Sequence, residues 1–120
     1  MALTTLDSRR TYVRLQADPV DLTGLNSSDV FEVLRYESGS FQFVFTGATD
    51  TATIEIQTSN DGGTSWDTLV NSSTVLSGSG SCTLAFFGNM PFERLRITVT
   101  EVSATGGASL DVYFVGKIEA

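Results

Sequence analysis

Residues 41–57, FQFVFTGATDTATIEIQ, decide the fold. Apolar residues recur at every second position, Phe41, Phe43 and Phe45 in the first run and Ile54 and Ile56 in the second, with Thr53, Glu55 and Gln57 between them. Side chains alternate between the two faces of a strand, so this period of two gathers the apolar ones on one buried side. Both runs are therefore half-buried β-strands.

The same scheme returns further along. In ERLRITVT the inward set is Leu95, Ile97 and Val99 and the outward set Arg94, Arg96 and Thr98; in SLDVYFVGK it is Leu110, Val112 and Phe114 inward, with Asp111, Tyr113 and Val115 opposite. Shorter strands are expected from Trp66 to Val70 and from Cys82 to Phe87. The Ser/Gly run Ser77–Ser81 reads as the flexible tip before the second of these, and TGGA, residues 105–108, as a hairpin turn between the last two strands. The Ser/Gly run is no phosphate cradle, because no P-loop lysine follows it. No internal repeat is visible, which argues against a propeller or solenoid. Residues 30–36, VFEVLRY, fit either a strand buried on both faces or a short helix; their β-branched and aromatic content favours the strand.

Ahead of this lies a different kind of sequence. Residues 1–29 carry scattered polar side chains, Pro19, and one short strand candidate, Tyr12–Gln16. The expectation is an all-β chain: a single antiparallel β-sandwich, jelly-roll or immunoglobulin-like, over residues 30–120, preceded by an irregular N-terminal arm over residues 1–29. At 120 residues the chain is long enough to bury a core without staples.

Composition removes several classes of function. There is no histidine, so His-based triads and imidazole metal sites are excluded. The single cysteine, Cys82, shares an alternating face with Leu84 and Phe86 and reads as a small core residue, not a nucleophile. Net charge is −7, and no Lys or Arg occurs between Arg35 and Arg94, a gap that contains Glu37, Asp50, Glu55, Asp61 and Asp67. Phosphate backbones would be repelled, so no nucleic-acid partner is expected. The opening residues lack an apolar signal core and no run reaches transmembrane length, so neither a membrane nor the secretory route is expected. A carboxylate pair is the one enzymatic option left, with Glu55 and Asp61 or Asp50 and Asp67 as candidates. Aspartates concentrated in turns are what turn chemistry alone requires, and calcium would need a spacing these residues lack. The chain is read as a non-enzyme without cofactor or metal.

Between the second strand and its return lies TSNDGGTSWDTL, residues 58–69, with Ser59, Asp61, Gly63 and Trp66 at the spacing S-x-D-x-G-x-x-W. Each has a part in folding, since Asp61 caps backbone amides, the glycines supply positive φ, and Trp66 opens the return strand. The spacing resembles the Asp-box of sialidases and β-propeller proteins, where it marks a hairpin turn away from the catalytic site. The resemblance implies a structural turn.

A longer stretch, residues 41–117, resembles the small β-sandwich structural proteins of tailed phages. It combines the alternating FQFVFTG strand, the turn just described, Arg94 and Arg96 in an R-x-R-x-T-V-T-like strand, and a terminal strand ending at Gly116 and Lys117. This resemblance implies a virion protein made in the host cytoplasm, foremost a capsid decoration protein on the capsid surface: a homo-oligomer, with a trimer favoured, whose partner is the major capsid protein. The contacts it implies lie in the arm, at Leu3, Leu6, Arg9, Arg10, Tyr12, Arg14 and Leu15, and on the last strand, at Tyr113 and Val115. The same two last-strand residues would equally suit cover by the arm within one chain. The alternatives are a tail or neck component, or a carbohydrate-binding module that uses Trp66, Phe87 or Tyr113 as a stacking platform.

Overall fold

The computed structural model describes residues 4–8, 12–86, 92–103 and 107–118, and among these it contains strands and no helix. The fold is all-β and antiparallel, and its organising element is one very long strand, β5, Tyr36–Ser59. A straight strand of 24 residues would reach about 80 Å at ~3.3 Å per residue. The longest dimension of the molecule is 44 Å, so β5 has to bend. It does so between its two alternating runs: pairing with its neighbour shifts register between Phe45 and Ala48 and again between Ala48 and Ala52, and Gly47 takes a φ of 75° that side chains rarely adopt. Ala48 and Ala52 are buried at this corner, where only small side chains fit.

The bend divides β5 between two layers. Its first half pairs with β9, Ser109–Ile118, in the register Phe41↔Phe114 and Phe43↔Val112. Its second half pairs with β8, Arg94–Glu101, in the register Ile54↔Val99 and Ile56↔Ile97. Along the opposite side of β5 the chain returns as β6, Asp67–Thr68, and then β7, Thr74–Phe86. The layers are thus two halves of one ribbon folded over on itself, and the inward residues of both halves make a single core.

Aromatic rings knit the layers together. Phe31 belongs to β4, Phe31–Glu32, which pairs with β8 in one layer; its ring meets Phe41 edge-on at 5.4 Å and Phe114 at 5.9 Å in the other. Phe41 and Phe114 lie 4.9 Å apart, and Tyr36 stands edge-on to Phe114 at 5.1 Å. Each buried side chain of this size stabilises the fold by roughly 1.5–3 kcal/mol, with a further contribution from the offset and edge-on geometry. Beneath the Tyr36 ring, Gly39 opposes Gly116 across the β5–β9 pair. A Cβ on Gly116 would fall 2.5 Å from Tyr36 Cδ1, so the glycine near the end of the last strand is there for packing.

Several expectations need correction. The segment 12–29 is no irregular arm. β2, Tyr12–Gln16, and β3, Val20–Asp21, pair in turn with β9, and Ala17 N–H donates to Val112 O at 3.1 Å between them. Val13, Val20 and Leu22 are buried in the core, and residues 26–28 then bond to β8 in the other layer. Pro19, which cannot donate to a ladder, interrupts the alternation and hides this strand pair from a periodicity reading. β1, Thr4–Ser8, adds an outer strand to β2.

The Ser/Gly run Ser77–Ser81 is strand, not loop. It lies inside β7 beside the bend of β5, with Gly78 opposite Ala48 and Gly80 opposite Phe45. Gly78 takes a φ of 72° so that β7 follows the corner, and a Cβ on Gly80 would press on the Phe45 ring at 3.4 Å. The last two strands do not form the expected hairpin with each other: β8 and β9 flank different halves of β5, and of the turn expected at 105–108 residues 105 and 106 lie outside the described residues, while Gly107 takes a φ of 85°. Finally, residues 30–36 form only the two-residue β4 and a turn, closed by Tyr36 N–H donating to Val33 O at 3.0 Å, because here the chain passes from one layer to the other. Leu34, at the tip of that turn, is 70% exposed.

The strand expected over residues 66–70 is limited to β6. After it the chain kinks at Asn71, with a φ of 63°, and buried Ser72 holds the kink by accepting from Ile56 N–H at 3.1 Å and donating to Leu69 O at 2.6 Å. Cys82 is half-buried against the core, and burial raises its thiol pKa, consistent with a packing role. Phe87 lies outside the described residues.

Candidate functional site

The turn that follows β5 is the most completely bonded feature of the surface. Ser59, the last residue of β5, is buried and donates from Oγ to Asp61 Oδ1 at 2.8 Å, while Gly63 N–H donates to the same hydroxyl at 3.0 Å. Asp61 Oδ1 also accepts from Thr64 N–H at 3.1 Å and Ser65 N–H at 2.9 Å. The Trp66 indole closes the loop by donating to Gly63 O at 3.1 Å. Ser59, Asp61, Gly63 and Trp66 are thus brought together as the spacing predicts. Gly62 and Gly63 both hold positive φ, which lets the amides of Gly63, Thr64 and Ser65 point inward at one hydroxyl and one carboxylate.

These donors set the charge state of Asp61. The Ser65 amide and the Ser59 hydroxyl favour the carboxylate and hold its pKa down at about 2, from an ordinary 3.8. A general acid near neutral pH needs the opposite shift. Asp61 and Asp67 do line a common polar hollow of ≈ 230 Å³, with Asn60 and Ser65, but the lone pairs of Asp61 are turned toward the turn's own amides.

Sequence reading did not anticipate how this turn is tied to β8. Gly62 N–H donates to Glu93 Oε1 at 2.6 Å, and Glu93 N–H donates back to Asn60 Oδ1 at 2.8 Å. The Arg96 guanidinium lies 4.3 Å over the Trp66 ring, and its Nε donates to Gln57 Oε1 at 2.8 Å. Arg94 reaches Glu32 at 3.5 Å and Glu93 at 3.8 Å. The outward alternation of Arg94 and Arg96 was a signal that both share a face; their partners come from distant segments and leave no local trace. Arg94 and Arg96 are both engaged within the molecule, and one face of Trp66 is occupied by Arg96.

The second candidate surface is the outer side of β2, β9 and the first half of β5. Arg14 pairs in register with Val115, Gln16 with Tyr113, and Tyr113 with Gln42. Arg14, Leu15, Gln42, Tyr113 and Val115 line a shallow hollow of ≈ 280 Å³. Of the contact residues named from sequence, Arg14, Tyr113 and Val115 are neighbours here, Tyr12 is 50% exposed on the same strand, and Leu15 is half-buried against the core. Leu6 lies in β1 at a register shift against β2, and Leu3, Arg9 and Arg10 lie outside the described residues. β2 lies beside Tyr113 and Val115, not over them, and both remain half-exposed.

No protein-family model and no curated protein matches the sequence. Solved structures do resemble it. The SPBc2 prophage-derived protein YomS aligns at a TM-score of 0.53 and 12% identity, over 86% of this chain and 95% of its own. A subunit of the Bacillus endospore appendages, described as disulfide-linked pili, aligns at 0.53 and 12%, over 99% and 100%. A chain of the cyanophage Pam1 capsid aligns at 0.45 and 17% over 99% of this chain and 94% of its own, too loosely to carry weight. At such identities the likeness is one of fold: a small β protein of the kind found in a prophage-derived protein and in an endospore-appendage pilus.

Proposed function

We propose that the chain is a structural protein of a phage particle, and specifically a capsid decoration protein that binds the assembled shell through its major capsid protein. The observation that supports this reading is the fold shared with a prophage-derived protein over 86% of this chain and 95% of that one. The surface chemistry agrees with it: the hydrogen-bonded polar cluster at Asp61 is taken up in bonding its own turn, whereas Arg14, Tyr113 and Val115 sit together on an open sheet face.

Binding by surface burial suffices for this role. A protein that associates only with the expanded shell stabilises that state by linkage. Arg14, with Arg9 and Arg10 close by in sequence, would meet acidic groups on the shell, and Leu3, Leu6 and Tyr12 would supply apolar contact. Co-sedimentation of the purified protein with empty expanded shells tests the reading. Saturable binding is expected, with Arg14→Glu weakening it about tenfold, in the range for a charged interface contact. Failure of the wild-type chain to sediment with shells contradicts it.

One observation favours a second reading. Tyr113 lies between Gln16 and Gln42 across three strands, an aromatic ring flanked by amide donors and acceptors that suits stacking on a sugar ring. If the protein is a carbohydrate-binding module, Tyr113→Ala abolishes retention on a glycan array and leaves the fold intact.

A further inference from the structure

β7 pairs with β5 along one side, and among the described residues no strand lies along its other side. An open strand edge presents a row of unpaired N–H and C=O groups, which proteins ordinarily blunt with charge, proline or brevity. The other outer strands of this molecule obey that rule: β4 has two residues, one of them Glu32, and β1 has five and includes Asp7. β7 breaks it. Its 13 residues, TVLSGSGSCTLAF, contain no charged side chain and no proline.

The neutrality extends beyond the strand. Charged residues make up 18% of the chain, yet none occurs from Thr68 to Phe92. Past the kink at Gly78, the segment Gly80–Phe86 runs opposite Phe45–Gly39 without any register shift, so its outer edge is straight. Ser81 and Thr83 are exposed, and Cys82 and Leu84 turn toward the core. The molecule as a whole carries a net charge of −7, so two copies repel on average, and an uncharged strip weakens that repulsion locally.

We propose that Gly80–Phe86 pairs antiparallel with the same segment of a second copy, continuing the sheet β2–β9–β5–β7 across a two-fold axis. The charge pattern selects the partner. An uncharged edge has no means of attracting a basic or acidic stranger, but among the described residues it is a long strand edge where a copy of this acidic chain meets no like charge. Antiparallel pairing about Thr83 sets Thr83 against its own counterpart, a favourable neighbour on a sheet surface, and brings Ser81 opposite Ala85 of the second copy. The inference is independent of the virion reading, and it assigns a two-fold contact where the resemblance to decoration proteins implied a trimer.

Sedimentation equilibrium on the full chain over a wide concentration range, with hydrogen exchange at its two ends, tests this. The expected result is a reversible dimer whose amides in Gly80–Phe86 gain protection as concentration rises. Thr83→Lys, which changes an exposed side chain, is expected to weaken the dimer at least tenfold while circular dichroism and the thermal midpoint stay unchanged; Ser81→Lys is a second such variant. A monomer at every concentration overturns the proposal, as does a dimer that both lysine variants leave intact. Protection of this edge only after a foreign protein is added also overturns it, and would give the edge to that partner.

Discussion

Asp61 shows how far a single residue can be read from chemistry alone. An aspartate followed by two glycines calls for a carboxylate collecting turn amides, and that is its arrangement. The consequence is a pH dependence with a definite sign. Its pKa is depressed in the folded state, so its contribution is fully present above the ordinary value of 3.8 and is lost as pH falls through about 2. Thermal unfolding of the wild type and Asp61→Asn should therefore show the variant less stable at pH 6, with the gap narrowing at pH 2. A gap that stays constant across that range would mean that the carboxylate charge is not what holds the turn. Trp66 was less legible: its place at the start of the return was clear, but its Arg96 cover arises from a strand 30 residues later.

Among the elements, legibility followed the regularity of the alternation. The two runs of β5, β8 and β9 alternate cleanly over at least five residues, and each is a strand with the expected face inward. Two of the failures share one cause, the bend of β5. A strand serving two layers requires glycine in its partner, and glycine with serine reads as a loop when it stands alone, hence Ser77–Ser81. The bend also lets β8 and β9 share one partner without touching each other, which no local pattern reveals. Residues 12–29 were obscured by Pro19, although Leu22 is fully buried. Leu22→Ala should therefore cost about 2–5 kcal/mol in urea unfolding, the range for a core truncation. A loss below about 0.5 kcal/mol, usual for a surface change, would return this segment to the status of a detachable arm.

At the scale of the whole molecule, sequence and structure converge on a small acidic β-sandwich whose internal bonding serves its own rigidity. The fold class and the Asp61 turn were legible because both rest on local spacing. The sheet face bearing Arg14, Tyr113 and Val115 was legible only as separate residues, because pairing of β2 with β9 joins positions about a hundred residues apart. Two surfaces then stand out: this face, and the uncharged edge of β7. A shell-bound protein has to be present in many ordered copies, which an enzyme or a regulator does not. The most direct measurement is the copy number of this chain relative to the main shell protein in purified particles from the source, by quantitative mass spectrometry. The decoration reading predicts a ratio near that of the shell protein. A handful of copies per particle would place the chain in a neck or tail instead, and its absence from particles would contradict the virion role outright.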